Sequence, residues 1–269
     1  MTHQQILDKL AAKYLVKSLD EDLARLTFGA MCYDNNKDNQ LLYVLPKLLN
    51  RWNCILNAEN SISDNYKQTT VLALAILLHK YGFTDIDITN KAIKAIDKLN
   101  KSAALSDDFL KKSEEIKQFI LSPPIPLKRK PTVSESITFY RAKDIISIQF
   151  ENRFYVAYIH EISGVNESPI VEFYDRIFDQ IPKLNEIINL PAKGRLSTGN
   201  IERIAYFSIS GMKYLPDLAN QIQLVGSSIE KLPISDHLEK QIGLRTISNI
   251  FDIQTIIKQL FRLNQNNKM

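Results

Sequence analysis

The chain has 269 residues, 45% hydrophobic and 24% charged, an ordinary globular composition at a length that favours two domains. Its net charge is +4, but residues 1–125 carry only +1, residues 134–269 carry zero, and Lys128-Arg129-Lys130 supplies the other +3. The basic balance is therefore a local cluster, which argues against a surface that binds nucleic acid strongly and nonspecifically.

The first elements read as helices. Ile6, Leu10, Tyr14 and Leu15 recur at helical spacing. Ser18 with Glu21 has capping-box spacing, which predicts a helix starting there and running to about Met31. Tyr33 to Asn39 is a polar loop. Gln40 to Leu56 is Leu-rich, with Pro46 placed to kink or divide it and Trp52 near its end. Asp64 is a candidate cap for a segment from Tyr66 to Tyr81, whose Val71–Leu78 run is apolar on nearly every face and predicts a central helix. Gly82 stops it. Thr89–Leu99 and a Ser106-capped segment to about Leu121 complete roughly six helices in residues 1–121.

Residues 122–133 contain four closely spaced prolines and the Lys-Arg-Lys cluster, and read as an extended connector. Beyond it the hydrophobic period changes from 3.6 to 2. Ile146, Ile148 and Phe150 share one strand face. Phe154 to Ile162 is apolar on both faces, which predicts a central strand. Pro169–Tyr174, Arg203–Ser210 and Gln221–Gly226 are further strands, and Ile177 to Ile188 is a helix or irregular arm. Asp236 with Glu239 predicts the cap of a closing helix, interrupted at Gly243. Ile250–Leu263 carries an amphipathic stripe, and Asn264-Gln265-Asn266-Asn267 forms the tail. The expected fold is α+β: an N-terminal all-helical domain over 1–121, a linker over 122–133, and over 134–269 a small, strongly bent antiparallel sheet or open barrel with a C-terminal helix.

No motif for a metal, phosphate loop or catalytic triad stands out. The four histidines, at positions 3, 79, 160 and 237, have no metal-ligand spacing, and Cys32 and Cys54 form no CxxC pair. Asp34-Asn35-Asn36-Lys37-Asp38 begins like a calcium loop, but Asn39 stands at the glycine position and Leu45 where a bidentate Glu belongs. Glu115-Ile116-Lys117 matches a nuclease E-x-K fragment, yet lies in a charged helix. Gly194-Arg-Leu-Ser-Thr-Gly199 lacks the Lys-Ser/Thr of a phosphate loop. His160 beside Glu161 is the one pattern that fits a general base, weighed against an ordinary strand-end residue. The aromatic residues of the β region, among them Tyr158, Tyr174 and Tyr206, fit packing better than base stacking.

The order "KDIISIQFENRFYVAYIHEI", "PIVEFYDRIF", "IERIAYFSIS" and "NQIQLVGSS" resembles a family of bacterial immunity proteins found beside polymorphic and contact-dependent toxins. The resemblance covers residues 139–230, about a third of the chain. Lys143 stands where the family has a glycine, and Ile222 or Leu224 lies nearest the place of its tryptophan. It implies a non-enzymatic protein that occludes the active cleft of a cognate toxin, often a nuclease, with partner contacts expected at Glu167, Glu172, Tyr174, Asp175 and Asp179. Further acidic patches are Asp20-Glu21-Asp22 and Asp34 with Asp38. The alternative is a nucleic-acid-associated small-barrel module with a helical accessory domain. No cofactor, metal, small-molecule or membrane partner is expected. The longest apolar run is eight residues, against about 20 for a membrane span. Met1 to Gln5 leads into an amphipathic pattern, so the chain is expected to be cytoplasmic with reduced thiols.

Overall fold

The computed structural model describes the chain except residues 59–61, 103–104, 136, 166, 198, 244 and 264–269, so the tail read from Asn264 lies outside the described residues. It divides into two units, 1–134 and 135–269. Among the described residues no helix is long and apolar enough to cross a membrane.

The first unit is helical: α1 (His3–Asp8), α2 (Lys13–Tyr33), α3 (Lys37–Leu56), α4 (Asp64–Lys80), α5 (Ile86–Lys101) and α6 (Asp107–Leu121). As the all-round apolar run predicts, α4 is central. It is buried continuously from Thr69 to His79 and packs against each of the other five helices. Short polar side chains set the starts. Asn36, Ser63, Asp85 and Ser106 each accept a backbone N–H from the first turn that follows. Ser18 does not. It is buried inside α2, because Leu15, Leu19 and Leu23 continue one apolar stripe across the position and override its capping-box spacing. Pro46 neither divides nor ends α3. It and Leu42, whose carbonyl the missing N–H frees, face solvent.

Two acidic residues tie these helices internally. Asp22 Oδ2 accepts from Arg51 Nε at 2.8 Å and from Trp52 Nε1 at 2.9 Å. Asp20 receives Lys80 Nζ at 2.8 Å and the Tyr81 hydroxyl at 3.0 Å. The Asp34 carboxylate is likewise engaged, by Asn36 N–H and the Asn39 amide, and its pKa is held below the usual carboxylate value by those bonds, that of Asn36 foremost. The 122–133 segment packs onto the helical unit. Lys130 lies over the Phe28 ring, and a Cβ on Gly82 would come within 2.8 Å of Pro126 Cα, with Gly82 at φ +81°. Cys32 is exposed and Cys54 buried, and no disulfide joins them.

The second unit is an open, mixed six-stranded sheet. Its strands are β1 (Ile145–Phe150), β2 (Arg153–Ser163), β3 (Ser168–Phe178), β6 (Phe207–Ser210), β7 (Ile222–Gly226) and β8 (Thr246–Asn249), in spatial order β7-β1-β2-β3-β6-β8. The short β4 (Arg195–Leu196) and β5 (Glu202–Arg203) pair separately. Helix α7 (Ile253–Leu260) follows. All neighbours in the large sheet are antiparallel except β6 and β8, which run parallel, so the expected antiparallel sheet is mixed at one edge. Glu151 and Asn152 both take positive φ in the β1–β2 turn, a two-residue hairpin of the primed type.

The expected fourth strand, Arg203–Ser210, breaks into β5 and β6. The predicted closing helix at Asp236–Glu239 is absent, because the backbone there is consumed by extended pairing. Ala192 N–H donates to Ile234, Ile204 N–H donates to Glu239, and Glu239 N–H donates to Glu202. The arm after β3 is irregular, with one 3-10 turn at Leu184–Glu186.

Two predictions follow from the helical ties. Asp22→Ala leaves the Arg51 guanidinium, 3% exposed, without this carboxylate, and is expected to cost about 3–5 kcal/mol in urea unfolding. His3 bonds His79 at 2.9 Å; burial first, then the charges of His79 and Lys80, lower its pKa from 6.5 to about 4. Between those values the unfolded chain takes up a proton that the folded chain refuses. Stability should therefore be level above pH 6.5, fall as the pH drops from 6.5 towards 4, and depend less steeply on pH in His3→Asn when unfolding is followed across that range.

Candidate functional site

His160 is set by an irregularity in the sheet. Ile159 pairs with Val171 and Glu161 with Ile170, so His160 is an extra residue of β2 with no opposite partner. Such a bulge re-aims a side chain near the end of a strand. Here the ring turns to Glu172, one strand away, and its Nε2 lies 2.8 Å from Glu172 Oε2. A carboxylate only accepts, so Nε2 is assigned the proton and Nδ1 is left as the ring's acceptor.

Aromatic rings close around this pair. Tyr158 and Tyr206 contact the imidazole edge-on, with centroids 5.0 and 4.9 Å away. Tyr158 Oη donates to the Ile229 carbonyl at 2.8 Å. Glu172 is 2% exposed; its Oε1, like the Tyr174 hydroxyl, is buried without a protein partner among the described residues. Burial chiefly raises the phenol pKa values of Tyr174 and Tyr206, and the Glu172 charge adds to both. The carboxylate thus sits in a low-dielectric aromatic shell, with His160 as its one side-chain partner among the described residues.

The outer side of His160 opens into a cavity of ≈ 320 Å³ shared with Glu161, Tyr206, Gln241 and Arg245. A second cavity of ≈ 330 Å³ adjoins it through Tyr206 and Gln241 and is lined by Arg195, Arg203 and Ile242. Two of the arginines are matched: Arg245 binds Glu161 and Arg203 binds Glu239, each at 2.8 Å. Arg195 instead donates to Thr246 Oγ1 at 3.0 Å and has no carboxylate partner among the described residues. Arg195 begins the β4–β5 hairpin of the Gly194–Gly199 segment, which is a strand turn and no helix-opening loop. A Cβ at Gly194 would lie 2.9 Å from Glu202 Cβ and 2.5 Å from the movable Leu238 Cδ2, so the strand pair would have to shift to admit one. The edge of the second cavity carries exposed apolar side chains: Ile242 is 74% exposed and Leu196 42%.

Of the expected contact residues, Glu167, Asp175 and Asp179 are on the surface, whereas Glu172 and Tyr174 are interior. β3 is buried on both faces from Pro169 to Tyr174, so neither residue forms part of an exposed acidic patch. Asp175 pairs with Lys193 and Asp179 with Arg153. The site that the fold assembles instead uses Tyr206, Arg195, Gln241 and Ile242. Of these, Tyr206 stood among the β-region aromatics and Arg195 in a quoted segment, but nothing in their spacing joins them to His160.

His160 makes no hydrogen bond to a serine, threonine or cysteine among the described residues. No group of three His, Cys, Asp or Glu is gathered as for a metal ion among them either. Compared with known proteins, the chain matches no family model, no curated protein and no solved structure.

A test separates structural from exposed roles. His160→Ala leaves the buried Glu172 Oε2 without its imidazole donor and should cost about 1–3 kcal/mol. Pairing it with Glu172→Gln removes the stranded charge, so the double variant should be more stable than His160→Ala alone in a double-mutant cycle read by denaturant unfolding.

Proposed function

We propose that the chain is an immunity protein, which binds a cognate bacterial toxin through its β unit and neutralises it by steric occlusion. The observation that carries the reading is the concave surface at Tyr206. Two adjoining cavities share Tyr206 and Gln241, one of them is edged by exposed Ile242 and Leu196, and Arg195 there has no carboxylate partner among the described residues. Aromatic and arginine anchors in desolvated pockets, surrounded by aliphatic side chains, are the composition of protein-recognition hot spots. The four segments that resemble the immunity family supply β1 with β2, β3, β6 and β7, consecutive strands of one sheet. They form the platform, and the cavities open at its β3–β6–β8 side.

This placement changes the chemistry expected of the partner. The acidic face first read at Glu167–Asp179 loses Glu172 to the interior, and its Asp175 and Asp179 are paired. The Tyr206 surface instead presents donors and aliphatic area, which complement a partner segment carrying a carboxylate beside apolar side chains. Such a segment lies outside a nuclease's basic cleft, so bulk rather than charge mimicry blocks the substrate.

The test is growth of a bacterial host expressing the toxin-domain gene that neighbours this chain's own gene. Co-expression of the chain should restore growth. Arg195→Ala with Tyr206→Ala should abolish rescue and weaken binding by about 2 kcal/mol or more, roughly 30-fold, while circular dichroism stays unchanged. A neighbouring product without toxicity, or undiminished rescue by the double variant, overturns the assignment. Steeply salt-dependent binding to short duplex DNA would favour the nucleic-acid alternative.

A further inference from the structure

The helical unit contains a cleft of a different character. The end of α3, the early turns of α4 and the outer face of α5 enclose a cavity of ≈ 320 Å³. Leu56 and Val71 give it an apolar floor, and Lys67, Lys91, Lys94 and Lys98 stand around it. Asn57 and Gln68 add amides, and no lining residue is acidic.

The lysines of α5 follow i, i+3, i+7 and so lie on one helix face, spanning about 10 Å along the axis. Lys91, Lys94 and Lys98 make no ion pair among the described residues. Elsewhere in the same unit lysines are matched: Lys80 with Asp20, Lys112 with Glu115, and Lys117 with Asp97 and Glu114. Asp97 belongs to α5 itself, yet its carboxylate goes to Lys117 of α6. Lys67 reaches Asp64 at 3.9 Å, so it is the α5 side of the cleft, with Lys91, Lys94 and Lys98, that is left with like charges which an added anion would neutralise.

We propose that this cleft binds a small ligand carrying a chain of two or three phosphates. Ammonium groups recognise phosphate as point charges without demanding bidentate geometry. A row spaced along one helix matches successive phosphates rather than a single monoanion. The amides of Asn57 and Gln68 supply further hydrogen bonds, and the Leu56–Val71 floor accepts an apolar or planar appendage. The shared chemistry is the phosphate chain, whether free polyphosphate or a nucleoside triphosphate. The site lies wholly within the helical unit and does not rest on the immunity reading.

Isothermal titration of the full chain, without divalent cations and at constant ionic strength, should show saturable binding of sodium tripolyphosphate that weakens as salt is raised. Lys91→Gln with Lys98→Gln should lower the affinity at least tenfold. Lys111→Gln, exposed on α6 away from the cleft, should leave it unchanged, with thermal melts confirming that both variants fold. ATP binding more tightly than tripolyphosphate identifies the ligand as a nucleotide whose base uses the apolar floor; equal affinity identifies the phosphate chain alone. Absence of saturable binding by both, adenosine binding as well as ATP, or equal loss in Lys111→Gln overturns the proposal.

Discussion

The β unit is governed by one constraint: β2 is apolar on both faces and must be covered on both. Tyr155 and Ala157 point one way and Val156 and Tyr158 the other, and all four are buried. One face is closed by α7, whose following residue Phe261 packs edge-on against Tyr155 at 5.0 Å and faces Phe173 at 6.2 Å. The other is closed by chain without regular structure, where Ile187, Leu184, Leu190 and Ile229 pack on Val156, Tyr158 and Tyr174. A sheet facing water on one side would need neither cover. The irregular arm after β3 and the short terminal helix are consequences of that burial, worth about 25 cal/mol for each Å² of apolar surface withdrawn from water.

The same constraint explains where the candidate site forms. A strand dry on both sides cannot carry a polar side chain until cover runs out, and on β2 that point is His160. The bulge there releases the imidazole from the alternation and lets it meet Glu172, which the alternation has already committed to the interior. A buried carboxylate without a partner is costly, so His160 serves the fold before it serves any ligand. The proposed recognition rests instead on neighbours without such an obligation. Tyr206 is half-buried, Gln241 lines both cavities, and Arg195 bonds a hydroxyl and no carboxylate among the described residues.

Much of this architecture was legible in the sequence, and the failures have a common cause. The change of period near Pro131, the six helices, the central Val71–Leu78 segment and the two-sided β2 all follow from local pattern. Local capping signals misled at Ser18 and at Asp236, where a longer-range demand prevailed: a continuous apolar stripe in the first case, bridging to Leu190 and Glu202 in the second. Strand β8 is only four residues and pairs with β6 across the intervening chain, so no local signal announces it. Period-2 spacing likewise names Glu172 and Tyr174 but cannot say that both faces of β3 are covered there. Positions 160, 206 and 241 converge only through the sheet order.

Acidic residues show how far charge counting can mislead. Asp20, Asp22, Asp34 and Glu172 all read as surface negative charge, and all are engaged in hydrogen bonds within their own unit. Such use engages carboxylates internally, burying Glu172 outright and leaving Asp20 and Asp34 only partly exposed, so a nearly neutral unit can still expose faces of one sign. On α5, Ala92, Ala95, Ile96 and Leu99 fix which face is buried, and helical geometry alone then puts Lys91, Lys94 and Lys98 outward. Packing dictates that these positions be polar; it does not dictate their sign. Mixed signs would be worth a few tenths of a kcal/mol per pair, a gain the helix does take on its other side through Asp97 and Lys117. A uniformly cationic face beside an apolar floor is thus a choice the fold does not require, and its reason has to be sought in what the face meets.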